Sequence, residues 1–423
     1  MNEVAAKSRT IDIPPYLVET TELLKAKQAD LWAWFSSTEF KVAQAEAVSL
    51  DLLKSAEPVL AELAPRLHDA TIAAAESLDL DWQPKIFKTK QSATQINLAI
   101  SVDPEQPALI VQGDLEARLE DNELLACLAH ELCHLILWRK QNGDLLVASN
   151  LLNAMTGQGD VDPLRQTASF FNQFTEIFCD RGALSVCGRI HPVISSLVKI
   201  QTEQQSVDAS EFLKRTKKEW KRSKAEQKET KKKHTQMTHP VVLRRVLSLD
   251  HWNSNGKKSE SKIEQIICGD RSLDRLDLLN QVKAQQFTRR LVEAVMEPTW
   301  MQGPKHQAHA ELYFANYEPR STALAEFFEA WDETLKEFAV FVLLDFVSAD
   351  RDLLEPALAH AIQLSEKSGF KDPFVDKARK ELRLRKKQIQ EIESQADQLF
   401  AKAMQTKRAK LENSSLKKEE SAE

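Results

Sequence analysis

Glycine is scarce in this chain, at 10 of 423 residues, where ~7% is usual. Tyrosine is rarer still, with three, and all aromatics together reach 7%. A chain poor in both but rich in Ala, Leu, Glu and Lys argues for helices and against an all-β fold. No GxGxxG and no GxxxxGK[ST] occurs, so dinucleotide and P-loop chemistry has no anchor. Long apolar runs are missing as well. The run from Phe338 to Leu344 stops at Asp345, far short of the ~20 residues a membrane span needs. The opening MNEVAAKSRTIDIPP has no apolar core of the kind a secretory leader carries. The 5 cysteines form no CxxC pair. An odd set in a chain of this length reads as reduced, buried thiols, which predicts a cytoplasmic protein.

What is present is a soluble-type balance: 42% apolar, 28% charged, and 57 bases against 63 acids for a net charge of −6. The length suits two or three domains. Residues 1–84 read as N-terminal helices, with Leu23, Leu24, Leu31, Trp32 and Phe35 at helical spacing, then Val48, Leu52, Leu53, Val59, Leu60 and Leu63. Short strands are expected at Ile86–Thr89, Ile96–Ile100 and Ala108–Val111. A strongly apolar helix follows from Asp121 to about Trp138, and another runs from about Gln166 to Cys187, ended by Gly188 and Pro192. Residues 205–236 form a basic insertion with eleven Lys/Arg between Lys214 and Lys233. It reads as a solvated helix or loop. Nucleic-acid binding is disfavoured by the net charge and by the lack of an aromatic ladder beyond Trp220. A further helix is expected from Pro240 to Asp250, and the polar stretch 253–261 is the expected boundary. Residues 262–423 read as wholly helical, with Ile389, Ile392, Ala396, Leu399 and Ala403 spaced as one apolar stripe of a surface helix.

His130-Glu131-Leu132-Cys133-His134 is an HExxH motif. Residues four apart share a helix face, so both imidazoles can point at one ion. Glu131, one step round, can reach a zinc-bound water, whose pKa falls toward ~7, and accept its proton. The flanks Leu124–Ala129 and Leu135–Leu137 bury this helix, where unpaired polar groups are costly. The alternative, two hydrogen-bonded core histidines, is the lesser reading. Catalytic zinc takes three protein ligands and a water. The next histidine is His191, so the third ligand is sought in Glu176, which with Asp180 is an i, i+4 acid pair on an otherwise apolar helix. Glu176 can reach the metal while Asp180 orients a ligating imidazole. Otherwise the pair faces solvent, Arg181 or Arg189.

These stretches, with Thr238-His239-Pro240 and Arg245 downstream, resemble the CAAX prenyl protease and HtpX-like family of gluzincin metallopeptidases, which shows HExxH, ExxxD and a later THP with an Arg six residues past the His. The likeness covers residues 85–252. It implies a zincin-like α+β core, zinc held by His130, His134 and Glu176, and Glu131 as general base. It further implies Asp180 behind the ligands, and His239 and Arg245 as transition-state and site-organising residues. The segment Ile96–Ile100 matches the family's edge strand, where an extended peptide adds by β-augmentation. Many relatives are membrane proteins and this chain shows no span, so prenylated substrates are not implied. Cys133 stands where the family often has glycine, and is read as an inert packing thiol. The expected fold is mostly α with a small β-sheet and an all-helical C-terminal region. The expected activity is zinc-dependent hydrolysis of a peptide or protein substrate. The alternative is a non-catalytic metal-containing scaffold whose C-terminal helices bind a protein partner. An intact Glu131 favours the enzyme.

Overall fold

The structure, a computed structural model, describes residues 11–81, 85–90, 95–101, 107–156, 162–202, 204–229, 241–269, 273–318 and 333–420. It is mostly helical with one four-stranded sheet, as composition and pattern predict. Two compact units divide the chain, Met1–Leu279 and Asn280–Glu423.

The first unit begins with α1 (Pro15–Lys27), α2 (Ala29–Ser36) and α3 (Thr38–Ser55), then β1 (Ala56–Pro58) and α4 (Pro65–Ser77). Ser37 caps α3 by accepting the Phe40 N–H at 3.2 Å, and Pro65 opens α4 with its preset φ. Three strands follow: β2 (Lys85–Thr89), β3 (Asn97–Ile100) and β4 (Ala108–Gln112). Their order is β1-β2-β4-β3, with β2 parallel to β4 and both outer strands antiparallel to their neighbours. Ile86, Leu98, Ile100, Leu109 and Val111 are buried in a core shared with α4 and the helix that follows.

Among the described residues β3 pairs with β4 alone, so it is an edge. The Ser101 N–H donates to the Ala108 carbonyl at 2.8 Å. By the alternation of an antiparallel ladder, the backbone groups of Leu98 and Ile100 point away from β4.

After α5 (Leu115–Arg118) comes the central helix α6 (Asp121–Arg139), opened by a reciprocal capping box between Glu120 and Glu123. Around it lie α7 (Asp144–Thr156), α8 (Asp162–Cys187), α9 (Ile190–Thr202), α10 (Ala209–Glu229), α11 (Val241–Asn255) and α12 (Glu260–Cys268). Helices α6 and α8 cross closely at Gly182, where an added Cβ would overlap Cys133 Sγ and lie 3.0 Å from Ile11 Cδ1. Cys133 is fully buried, and burial pushes its thiol pKa up, so it packs as a small hydrophobe.

Several sequence expectations change. Residues 56–58 leave the helix predicted through Leu63 and form β1, because Pro58 cannot donate an internal helix bond. Leu53 at 75% and Leu63 at 78% exposure, with Leu31 and Leu60, lie outside the core into which their spacing placed them. Of the two forms expected for the basic insertion, helix or loop, its described part is largely the helix α10. The stretch 253–261 is helical rather than a linker, and the first unit runs on past it to Leu279. What holds it is Arg181, which grips Glu260 with two bonds of 2.8 and 2.9 Å and stacks 3.8 Å over Trp252.

The second unit holds α13 (Leu278–Val295) from Asn280 on, with α14 (Pro304–Tyr313), α15 (Glu333–Ala349), α16 (Leu354–Lys367), α17 (Lys371–Glu381), α18 (Lys386–Ser394) and α19 (Ala396–Glu420). Its core gathers Phe346, Phe374, Leu343 and Leu358, and Ile389, Ile392, Ala396 and Ala403 of the tail close over it.

Candidate metal centre

The site is built on α6. Asp121 and Glu123 sit in its first turn, where the helix dipole favours acids. Glu123 is buried, and its carboxylate accepts the Lys199 Nζ at 2.7 Å and the Ser195 hydroxyl, tying α6 to α9. Leu124, Leu128, Leu132 and Leu135 fix the helix in the core. That leaves His130, Glu131 and His134 facing a cleft of about 260 Å³. Its other walls are Asn97 and Leu98 of β3, Glu176 and Asp180 of α8, Val193, Ser196, Leu197 and Ile200 of α9, and Arg245 of α11.

The two imidazoles converge on one carboxylate. His130 Nε2 lies 3.3 Å from Glu176 Oε2, and His134 Nε2 lies 3.5 Å from Glu176 Oε1. Behind them His130 Nδ1 is 3.0 Å from Asp180 Oδ1. An N–H donated there leaves Nε2 as the free lone pair. Arg245 straps both acids. Its Nε and Nη2 donate to Asp180 at 2.9 and 2.6 Å, and its Nη1 lies 2.8 Å from Glu176 Oε2. Trp138 packs against the His134 ring at 5.7 Å between centroids.

The electrostatics follow from burial and these neighbours. Burial pulls His130 down, but the Asp180 and Glu176 bonds win and push it up to about 10. His134 has no such bond, and burial brings it to about 4. Burial also raises Glu131 to about 7, opposed by His130 and by the Ile100 backbone N–H. Glu176 and Asp180 resist burial and stay well below the usual carboxylate range, held there chiefly by the Arg245 charge.

The donor set fits a zinc-type ion. Two neutral-capable Nε2 atoms and a carboxylate face one another across hydrogen-bond distances, the N, N, O chemistry zinc accepts. A second grouping exists: His130, His134 and Cys179 offer donor atoms that all lie within 4.8 Å of one another. Cys179 is fully buried and its thiol is pushed well up by burial. Glu176 keeps 31% of its side chain exposed and lines the cleft. Glu176 and Cys179 thus each offer a third donor beside the two imidazoles, and of the two it is Glu176 that lines the cleft.

The structure thus brings His130, Glu131, His134, Glu176, Asp180 and Arg245 together. Arg245 is only 6% exposed, so it does not face water, and Arg181 turns to Glu260 rather than to the acid pair. His239, expected to stabilise the transition state, lies outside the described residues. The α9 wall was not anticipated. Its signal was the apolar run Val193–Ile194 with Leu197, Val198 and Ile200, which periodicity assigns to a core without saying that one side borders a cleft.

No helix among the described residues is long and apolar enough to cross a membrane. No protein-family model matches the chain, and no solved structure matches it. A curated protein, the plastoglobule-localized metallopeptidase 48, chloroplastic, of Arabidopsis thaliana, is 28% identical over 205 residues, which cover 44% of this chain and 56% of that protein. The chain spans about half the length of this relative. The chain is therefore similar to a metallopeptidase, and such a likeness implies a metal.

Proposed function

We propose that the chain is a zinc metallopeptidase of the gluzincin type, as its likeness to the CAAX prenyl protease and HtpX-like family implies, acting on a peptide or protein substrate. The observation that carries this reading is the convergence of both HExxH imidazoles on Glu176, with the half-buried carboxylate of Glu131 lining the same cleft. His130, His134 and Glu176 would hold the ion. Zinc bound there supplies a Lewis acid for the scissile carbonyl and lowers the pKa of water toward ~7.

The chain's own groups do the rest. Glu131, raised to about 7 by burial, takes the proton of the attacking water and returns it to the leaving amine. Asp180 fixes the His130 tautomer, and Arg245 holds Asp180 and Glu176 in register. The open edge of β3, with Leu98 in the cleft wall, offers backbone donors and acceptors to an extended substrate. His239 is proposed as the donor to the developing oxyanion. A reducing compartment such as the cytoplasm suits five free thiols.

The second reading is a metal-containing scaffold. Its support is the 2.8 Å contact of Arg245 with Glu176, which can hold the acid in place for structure alone. Glu131→Gln separates the two. The peptidase reading expects full zinc content and a loss of ~10²–10⁴-fold in hydrolysis of a peptide library. Equal cleavage by parent and variant removes Glu131 from the mechanism, and no cleavage by the zinc-loaded parent leaves the scaffold.

A further inference from the structure

The basic insertion is not used by the mechanism above. Between Lys214 and Arg222 it places six bases, Lys214, Arg215, Lys217, Lys218, Lys221 and Arg222, against one acid, Glu219, and all seven are exposed. The helix is seated by its other side, through Phe212, Thr216 and Trp220, which are buried. The helix packs on α11, where Lys217 Nζ meets Asp250 at 2.8 Å. Helix α11 also carries Arg245, which lines the cleft.

We propose that this face of α10 is a recognition surface for acidic stretches of polypeptide, and that it selects substrates carrying Asp and Glu away from the bond to be cut. The proposal rests on the peptidase reading and names its substrate class. Clustered charge of one sign beside a cleft raises the local concentration of oppositely charged ligands and their association rate by 10–10³-fold. The outward residues from Lys214 to Arg222 include no Trp, Phe or Leu, which a helix lying in a lipid interface uses to insert. The Trp of this helix is buried and cannot stack on a base. An acidic peptide needs neither, and α10 packs against the helix that brings Arg245 into the cleft.

The test uses the full, zinc-loaded chain carrying Glu131→Gln, so that binding is read without turnover. Fluorescence anisotropy at low salt would compare three probes: a labelled Asp/Glu-rich peptide, the same peptide with Asn/Gln in their place, and a duplex RNA of similar charge. Flotation with vesicles containing phosphatidylserine is the fourth arm. The account expects the acidic peptide to bind at least ten-fold tighter than its amide counterpart. It also expects Lys218→Glu, Lys221→Glu and Arg222→Glu together to abolish that preference, and Lys218→Arg, Lys221→Arg and Arg222→Lys to keep it. Unchanged preference in the charge-reversed variant overturns the proposal, as does RNA or vesicle binding stronger than that of the acidic peptide. The peptidase reading fails separately, if the zinc-loaded parent cuts neither peptide while binding the acidic one.

Discussion

At the scale of single residues, the site is a chain of dependence. Arg245 donates to Asp180, Asp180 lies 3.0 Å from His130 Nδ1, and His130 and His134 both lie within 3.5 Å of Glu176. Partners that orient metal ligands are typically worth 10–100-fold in metal affinity. Asp180→Asn keeps the shape but lets the amide present N–H where the imidazole and guanidinium also donate. The variant should bind zinc ~10–100-fold more weakly in competition with a chromogenic chelator; an unchanged affinity would show that Asp180 only neutralises Arg245. Much of this constellation was legible in the sequence, because costly groups in apolar helices demand a reason: His130 and His134 on one, Glu176 and Asp180 on the other. Arg245 entered only through the family resemblance. An arginine between Leu243 and Leu247 says nothing of which acid it meets until α8 and α11 are packed together.

At the scale of elements, the cleft exists because α6, α8, α9, α11 and β3 are held at fixed offsets. The α6 to α9 joint is the buried Lys199–Glu123 pair, reinforced by Ser195 and by the capping box. Removing one partner of a buried pair typically costs ~3–5 kcal/mol, because the other is left charged and unpaired. Lys199→Met should therefore lower stability by about that much in urea unfolding, and adding Glu123→Gln should recover a large part of it. A single variant within about 0.5 kcal/mol of the parent would show that the joint is carried by α6 and α9 packing alone. The strands β2, β3 and β4 were legible from short apolar runs near Pro107 and polar turns. The strand β1 was not, since three residues after a long helical pattern give periodicity nothing to work on. The exposed leucines of the N-terminal region show the same limit: spacing defines a stripe, while burial depends on whether anything packs against it.

At the scale of the whole molecule, two compact units share one chain and the proposed metal chemistry belongs to the first. An ion that binds only the folded state stabilises it, by ~2.7 kcal/mol when free metal is a hundredfold above its dissociation constant. Chelation should thus raise amide hydrogen exchange in α6 and α8 while leaving α15 and α16 unchanged; an equal rise in both units would mean that the ion does not report on the first unit alone. The central claim is the identity of the ion's protein ligands, and zinc-edge X-ray absorption on the purified chain tests it most directly. The account predicts about one zinc per chain with a first shell of nitrogen and oxygen at ~2.0–2.2 Å, from His130, His134 and Glu176. A sulfur shell at ~2.3 Å would put Cys179 in place of Glu176 and contradict it.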